Sequence, residues 1–415
     1  MKKLPKKKKI LKISSEGDWF YLEKLEIFLD TVLDFDRVEG VDLEGSLMEE
    51  DVISFLSKFK KIKKLSLKLF NKCVGNPTFS ENLFVWISEN FADEMEELEM
   101  KDIRISAAAL DMVLRKCNKL RRLGIDSLGT SQLSCLAGNP FAHQLEHLTI
   151  NSRVLENLNS KEKEEEKEKL FCRFLRNCGT NLRGLSLIDC SFVSSQSMKV
   201  ISEYCPNFDS LEISNPRLYN PIFTPIPFSA ISNIAEKCAH FPSKLMFFMS
   251  REHVIVTPGE SQEFKEKYFC RLKFLSLDCW FDSSNQHLAD FFNLENVEEI
   301  EFRQKNFSSR TLAKEIPKLK KLKRLVVDVV NEGEEEICSK SLKELVIVND
   351  NNGVTNLNLP NLTKMKARFS NFVVKSNRRL HFLSFAHASE GSDIAGNIKN
   401  LRPEFFFPQI EYNNS

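Results

Sequence analysis

The sequence predicts an α/β solenoid, in which short strands stack side by side into one parallel sheet and helices or short turns line its other side. Three observations predict this fold. An apolar-x-x-apolar-x-apolar pattern recurs along the 415 residues, successive copies start at a near-constant spacing (95, 120 and 145, then 272, 297 and 322), and amphipathic helical patterns lie between them. A single match carries little weight because 42% of the residues are apolar. The regular spacing is what indicates a repeat.

The strand of each repeat is predicted from its three apolar anchor positions. The clear copies are Ile62/Leu65/Leu67, Met95/Leu98/Met100, Leu120/Leu123/Ile125, Leu145/Leu148/Ile150, Leu182/Leu185/Leu187, Phe208/Leu211/Ile213, Leu272/Leu275/Leu277, Val297/Ile300/Phe302, Leu322/Leu325/Val327, Leu342/Leu345/Ile347 and Leu380/Leu383/Phe385. Weaker copies start at Val38 and Leu362. These strands should lie next to each other, with their anchors in one shared core.

The segments between the strands predict helices that begin near a serine. Ser106 precedes Leu110, Val113, Leu114 and Cys117, whose i, i+3, i+4, i+7 spacing defines one buried helix face. Toward the C-terminus the starts at 322, 342 and 362 lie closer together than the earlier ones, which leaves no room for a full helix. We therefore expect short turns or 3₁₀ pieces there.

One repeat resembles a known family. The stretch 178–213, CGTNLRGLSLIDCSFVSSQSMKVISEYCPNFDSLEI, places Cys190 after the strand and Cys205-Pro206-Asn207 before the next strand. It is similar to the cysteine-containing, ribonuclease-inhibitor-like leucine-rich repeat of F-box/LRR proteins. The resemblance implies a leucine-rich-repeat horseshoe with a concave parallel sheet, which holds a substrate for a cullin-type ubiquitin ligase. No F-box is evident, since a first strand is already predicted at Leu11 and Ile13.

Composition and charge exclude several classes of protein. The 59 Lys and Arg residues balance 58 Asp and Glu residues, so the net charge of +1 gives no case for nucleic acid or a membrane surface as partner. No apolar run is long enough to span a membrane, and the basic start of the chain lacks the apolar segment of a signal peptide. Eleven cysteines without any C-x-x-C pair favour a reducing compartment. We expect an intracellular protein, cytoplasmic or nuclear; Lys6–Lys9 are either an import signal or a solvated terminus.

No catalytic, cofactor or metal site is predicted. The segment from His143 to His147 matches H-x-x-E-H, but a zinc site of that kind needs both histidines on one helix face. Here the pattern starts a repeat strand, so we expect a turn and a strand. A hydrolase would need a cluster of polar catalytic residues, which the sequence does not show, and Cys190 is explained by the repeat.

The predicted partner-binding surface is the solvent side of the strands together with one loop. The residue at the centre of each strand points into the concavity. The candidate partner-binding residues there are Glu99, Thr149, Ser186, Glu212, Ser276 and Glu301, which are small or acidic. Tyr219 and Phe223 are further candidates, on an extended loop over 215–228 that contains four prolines. The alternatives are an idle solvated sheet face and aromatic residues folded under the loop.

Charged residues between the first and second anchors change sign from repeat to repeat. They are Lys63-Lys64, Glu96-Glu97, Arg121-Arg122, Glu146-His147, and later Glu298-Glu299, Lys323-Arg324 and Lys343-Glu344. Because neighbouring strands lie about 5 Å apart, opposite charges should attract across strands and fix their register. The mixed-charge run 160–169 is predicted to be a solvated helix, with a regulatory contact as the alternative.

These observations predict three regions: a basic tail over 1–9, a solenoid over 10–390 with insertions near 155–170 and 214–228, and a C-terminal cap and tail over 391–415. The predicted function is a non-enzymatic protein-interaction module without cofactor or metal. The specific hypothesis is a substrate-recognition or adaptor component of a cullin-type ubiquitin ligase pathway, which binds ligase subunits and a client protein. The alternative is a structural scaffold with no degradation role.

Overall fold

A computed structural model of the chain describes residues 9–14, 29, 34–45, 47–69, 81–126, 128–152, 161–214, 226–248, 254–255, 267–278, 295–330, 336–351, 354–367, 371–374 and 382–385. They divide into two compact units. Unit 1 holds the described residues up to Phe208 and also Glu236–Ala239, and unit 2 holds the others.

The described part of unit 1 contains seven strands that pair in parallel, each with the next along the chain. They are β1 (Lys9–Ser14), β2 (Val38–Gly45), β3 (Lys64–Leu69), β4 (Glu97–Arg104), β5 (Arg122–Asp126), β6 (His147–Asn151) and β7 (Gly184–Ile188). Their middle anchors are register partners in the order Leu11, Val41, Leu65, Leu98, Leu123, Leu148, Leu185. From Val41 onward these anchors are at most 3% exposed, so the repeats share one apolar core as predicted.

Six described helices accompany these strands. They are α1 (Glu49–Leu56), α2 (Glu81–Asn90), α3 (Ala107–Lys116), α4 (Thr130–Gly138), α5 (Lys161–Cys178) and α6 (Ser195–Tyr204), and each packs against the next. Short 3₁₀ turns occupy Phe35–Arg37 and Pro140–Gln144. The predicted helix after Ser106 is α3, whose first turn is capped by the Ser106 hydroxyl, which accepts the Ala109 N–H at 3.0 Å. Its stripe Leu110, Val113 and Leu114 is fully buried.

Unit 2 repeats the same arrangement. Its main sheet runs in the order β8 (Ser210–Ser214), β10 (Lys244–Phe248), β12 (Phe274–Asp278), β13 (Glu299–Ser308), β14 (Arg324–Val330), β16 (Glu344–Asn351), β18 (Lys364–Ala367) and β20 (Phe382–Phe385), all parallel. The other elements are β9 (Ile226–Pro227), paired with β11 (Val254–Ile255), helices α7 (Phe228–Lys237, which ends in unit 1) and α8 (Ser309–Glu315), and 3₁₀ turns at Phe269–Arg271 and Ile316–Lys318.

Strand β10 belongs to a repeat that the apolar pattern did not predict. Leu245 pairs in register with Leu211 on β8 and with Leu275 on β12, and it is 2% exposed. The first anchor position of this copy is Pro242, which the pattern does not count as apolar. Its middle anchor nonetheless joins the core.

The shortened C-terminal repeats carry strands on their outer side. β15 (Glu336–Cys338), β17 (Val354–Asn358) and β19 (Asn371–Val374) form a separate three-stranded parallel sheet. The expectation of turns or 3₁₀ pieces is wrong for these segments. A shortened repeat has no room for a helix, but a short strand satisfies its backbone groups through its neighbours. Each unit therefore has the architecture of a leucine-rich-repeat solenoid.

No helix among the described residues combines the length and the apolar composition needed to cross a membrane. Residues 391–415, where a C-terminal cap and tail were predicted, lie outside the described residues. At the other end of the chain, β1 begins at Lys9, close to the predicted boundary.

Candidate protein-binding face

The strand face of unit 1 is the row of residues at the strand centres, which point away from the buried anchors. Register pairing aligns Lys12, Asp42, Ser66, Glu99, Gly124, Thr149 and Ser186 across the seven strands. Side chains alternate between the two sides of a strand, so this row faces away from the core. Glu99, Thr149 and Ser186 are partly exposed, so they are accessible from solvent, and their role in partner binding stays a prediction.

Gly124 shapes the middle of the strand face. A Cβ atom at this position would lie 2.8 Å from Cγ of Glu99 and 3.4 Å from its Cα. The missing side chain therefore gives Glu99 room to lie over β5. The strand face therefore has no large side chain at Gly124, Thr149 and Ser186, and these three residues form a shallow uncharged depression.

The acidic residues of the strand face are neutralised by cations on the same or neighbouring strands. Asp42 pairs with Lys12 at 3.1 Å, and Glu99 pairs with Lys101 at 3.0 Å. Glu97 binds Lys64 on one side and Arg122 on the other, the latter at 3.6 Å. The strand centres alone suggested an acidic surface. The flanking positions, which the strand-centre row leaves out, make the described face one of mixed charge.

The predicted alternation of charge between repeats is present as ion pairs. Lys63 pairs with Glu39 at 3.8 Å and Arg121 with Glu146 at 3.7 Å in unit 1. In unit 2, Lys323 pairs with Glu298, and Arg324 lies 3.3–3.9 Å from three carboxylates, those of Glu299, Glu301 and Glu344. Exposed pairs of this kind contribute about 0.2–1 kcal/mol each, so they serve register more than stability.

In unit 2 the corresponding strand-centre residues are less accessible. Glu212 is partly exposed, but Ser276 is 0% and Glu301 3% exposed. Glu301 lies 3.5 Å from Arg324, and the hydroxyl of Ser276 has no hydrogen-bond partner among the described residues. The prediction placed Ser276 and Glu301 on an open surface, whereas the structure buries both. Solvent exposure at a strand centre depends on what lies over the sheet, which repeat spacing does not specify.

The predicted aromatic loop is only partly described. Tyr219 and Phe223 lie outside the described residues. At the end of the predicted loop, Ile226 and Pro227 form the short strand β9 and Phe228 begins α7. The predicted extent of the loop, 215–228, was therefore too long at its C-terminal end.

The mixed-charge run is helical and mostly exposed, as predicted, but two of its charged residues are buried. In α5, Glu164 and Lys167 are 4% and 3% exposed. Lys167 Nζ lies 2.8 Å from Glu164 Oε1, and the Ser191 hydroxyl donates to Glu164 Oε2 at 2.6 Å. Glu164, Lys167 and Phe171 lie at i, i+3 and i+7 on one buried face of the helix. The two charged side chains can be buried there because the ion pair and the Ser191 hydroxyl satisfy their polar atoms.

Most of the described cysteines are buried, and their pKa values are unfavourable for nucleophilic chemistry. Burial raises the pKa of Cys117, Cys178 and Cys238 to about 11 and that of Cys205 to about 12. Burial also raises the pKa of Cys190, whose thiol donates to the Ile188 carbonyl at 3.3 Å. A thiolate is the reactive form, so the chemistry of these thiols fits core residues.

The H-x-x-E-H segment does not place its histidines on one helix. His143 lies in a 3₁₀ turn and His147 is the first residue of β6, as the repeat pattern predicted. Among the described residues, no group of three or more His, Cys, Asp or Glu side chains is arranged to hold a metal ion.

A ladder of side-chain amides, which the sequence reasoning did not find, joins the turns before the strands. Each amide donates to a backbone carbonyl of the preceding repeat: Gln144 to Cys117 at 2.9 Å, Asn181 to His143 at 2.8 Å, Asn207 to Thr180 at 2.8 Å, Asn296 to Cys270 at 3.0 Å and Asn361 to Lys340 at 2.6 Å. The signal in the sequence is an Asn or Gln directly before the first apolar anchor. These hydrogen bonds hold each turn in place against the preceding one, and the same turns carry the charged residues that form ion pairs between repeats.

Structural likenesses to known proteins include two that align with more than four fifths of the chain. No protein-family model matches the chain, and no curated protein sequence matches it. The crystal structure of the Rad7 and Elc1 complex in yeast aligns with 87% of this chain and 94% of the matched chain, at 14% identity and a TM-score of 0.48. The crystal structure of the leucine-rich repeat domain of APL1B aligns with 82% of this chain and 87% of that chain, at 12% identity and a TM-score of 0.29.

Proposed function

We propose that this chain is a non-enzymatic, intracellular protein-interaction module that binds a protein partner on the strand face of unit 1. The observation that carries the proposal is the strand face itself. Seven register-paired strands hold a row of partly exposed side chains on a buried apolar core. A rigid sheet loses little conformational entropy on binding.

The charge of the strand face favours a protein over nucleic acid. A groove for a nucleic-acid backbone needs unpaired Lys and Arg residues. The acids Asp42 and Glu99 on the strand face, and Glu97 beside it, hold the neighbouring cations in pairs. The shallow depression at Gly124, Thr149 and Ser186 is uncharged, and it leaves room for side chains of a partner.

The specific role we propose is substrate recognition or adaptor function in a cullin-type ubiquitin ligase pathway. The repeat over 178–213, with its post-strand Cys190, supports this role by its resemblance to F-box/LRR repeats. The second candidate is a cytoplasmic or nuclear scaffold without a degradation partner. The paired charges of the strand face fit either role.

Co-precipitation with a face variant tests the proposal. Arginine at Ser66 and Thr149 would fill the strand face, and the matched control places arginine at Ser131 and Gln196, which are exposed on α4 and α6. We expect the wild-type chain and the control to recover a cullin, its adaptor and a ubiquitylated client, and the face variant to lose the client.

The outcomes separate the two roles. Equal recovery of the client by the face variant would contradict binding at the strand face. Recovery of a client without any cullin or adaptor would contradict the ligase role and support the scaffold.

A further inference from the structure

At one place among the described turns of unit 2, two neighbouring turns carry residues of like charge. The turn row is formed by the residue directly after the first anchor of each repeat, and its N–H donates to the carbonyl of the same position in the preceding repeat. In unit 1 the row reads Glu39, Lys63, Glu96, Arg121, Glu146, Arg183, with strict alternation of sign. In unit 2, Glu298 and Lys323 alternate, but Lys343 follows Lys323, with its N–H 2.8 Å from the Lys323 carbonyl.

A second pair of like charges lies beside the first. Lys320 and Lys340 each stand two residues before the first anchor of their repeats, so they occupy equivalent positions on adjacent turns. Lys364, the first residue of β18, donates its N–H to the Lys343 carbonyl at 3.0 Å, and its register partner on β16 is Glu344, which pairs with Arg324. These turns thus bring four exposed lysines, 320, 340, 343 and 364, to one edge of the unit 2 sheet.

Acidic partners are unevenly distributed along this edge, and Lys321 on the same turn binds Oδ1 of Asn296 at 2.5 Å and no carboxylate among the described residues. Lys318 pairs with Glu315 at 2.7 Å, and Lys323 pairs with Glu298. Within the part of the chain that the structure describes, no carboxylate lies within ion-pair distance of Lys320, Lys340, Lys343 or Lys364. Like charges on adjacent strands destabilise a sheet, and breaks of a local rule without compensation are expected at functional or strained positions.

The size and surroundings of this edge indicate the kind of partner. Three adjacent turns at a strand spacing of about 4.8 Å span about 10 Å, the length of three or four residues of an extended chain. The turns 318–324, 340–344 and 360–364 contain no aromatic residue on which bases could stack. Glu298 and Glu299 on the preceding turn limit the positive surface on one side, and Glu344, which lies within the edge, is held by Arg324 at 3.3 Å.

We propose that the lysine edge, formed by Lys320, Lys340, Lys343 and Lys364, binds an acidic segment of a partner protein with three or four closely spaced carboxylates. Each carboxylate forms an ion pair with one ammonium group, and those bound at Lys320, Lys340 and Lys343 lower the repulsion between lysines on adjacent turns. This contact is independent of the strand face of unit 1, since it uses other residues on another unit.

Fluorescence anisotropy of a labelled octaglutamate peptide with the full chain at low salt tests the lysine edge. In one variant all four lysines of the edge become glutamine. The matched control changes four cations of unit 1 that are already paired with acids to glutamine: Lys60, Lys63, Lys119 and Arg121. We expect the edge variant to bind the peptide at least about tenfold more weakly and the control to bind within about twofold of wild type.

Thermal unfolding of the same two variants distinguishes binding from a structural role. Removal of unpaired like charges should leave the Tm of the edge variant unchanged or raise it, whereas the control should lose a little. Unchanged peptide binding in the edge variant, or a Tm loss as large as that of the control, would overturn the proposal. Tighter binding of an oligothymidylate or of phosphatidylserine vesicles through the same lysines would also overturn it, in favour of those anionic partners.

Discussion

The glycine that follows α5 shows how closely neighbouring repeats approach each other. A Cβ atom on Gly179 would lie 2.4 Å from the Leu175 carbonyl oxygen, 2.6 Å from the Tyr204 carbonyl oxygen and 2.7 Å from Sγ of Cys205. Two of these three contacts are with backbone atoms, one of its own helix and one of the next repeat. Neither can rotate away as a side chain can.

The cost of Gly179→Ala follows from these distances. Cβ atoms essentially never come closer than 3.0 Å to another heavy atom, so the contact with the Leu175 oxygen must open from 2.4 Å and that with the Tyr204 oxygen from 2.6 Å to at least that limit. Overpacking of a buried site costs about 1–3 kcal/mol. Because two repeats must separate, we expect a loss at the upper end of this range.

Gly138, the last residue of α4, is the matched control in the preceding repeat. A Cβ there meets nothing within 4 Å, so Gly138→Ala should stabilise the protein by about 0.4–1 kcal/mol by restricting the unfolded chain. Urea unfolding followed by circular dichroism measures both changes. Equal stability of Gly179→Ala and wild type, or equal losses in both variants, would refute the packing argument.

Three further predictions concern charges and thiols. Glu97→Gln removes the carboxylate shared by two cations and should cost about 0.5–1 kcal/mol in low salt and less in high salt, as urea unfolding at both salt concentrations would show. Lys167→Met leaves its carboxylate partner buried without a counter-ion and should cost about 3–5 kcal/mol by the same assay. The thiol of Cys205 has its pKa raised by burial to about 12, from 9.0; the folded state therefore keeps its proton longer than the unfolded state. Its contribution to stability is complete below pH 9 and is lost as the pH rises toward 12.

Each of these predictions has a control and a contradicting result. Lys163→Met, an exposed position of the same helix, should change stability little, and a loss equal to that of Lys167→Met would contradict the burial argument. A salt-independent effect of Glu97→Gln would mean that packing, and not charge, is lost. For the thiol, Cys205→Ala should flatten the decline in urea midpoint above pH 9, and an unchanged slope would contradict the assignment.

The repeat itself was accessible to sequence reasoning because its anchors are local. Leu123 and Leu148 occupy the same position in consecutive copies and lie side by side in register, each at most 2% exposed. The alternation of charge was equally accessible, since Arg121 and Glu146 also occupy one position in consecutive copies. In a repeat protein, residues at the same position of consecutive repeats become neighbours on adjacent strands of the sheet.

Features that depend on a specific partner elsewhere were missed or misjudged. The burial of Glu164 depends on Lys167 and on Ser191, which follows β7 on another part of the chain. A charged run reads as solvated until those partners are known. The lysine edge was missed for the opposite reason, because only the structure shows which cations have no acid beside them among the described residues.

The sequence by itself determined the strand anchors of every repeat except that of β10, the order in which those repeats stack and the sign of the charges on each turn, because these follow from residue type and period. Only the tertiary structure decided which strand-centre residues meet solvent and which charges are paired. It exposes part of Glu99 and Thr149 while it buries Ser276 and Glu301. The physical reason is that the burial and the ion pairing of a side chain depend on its neighbours in space, and these neighbours often come from a distant part of the chain.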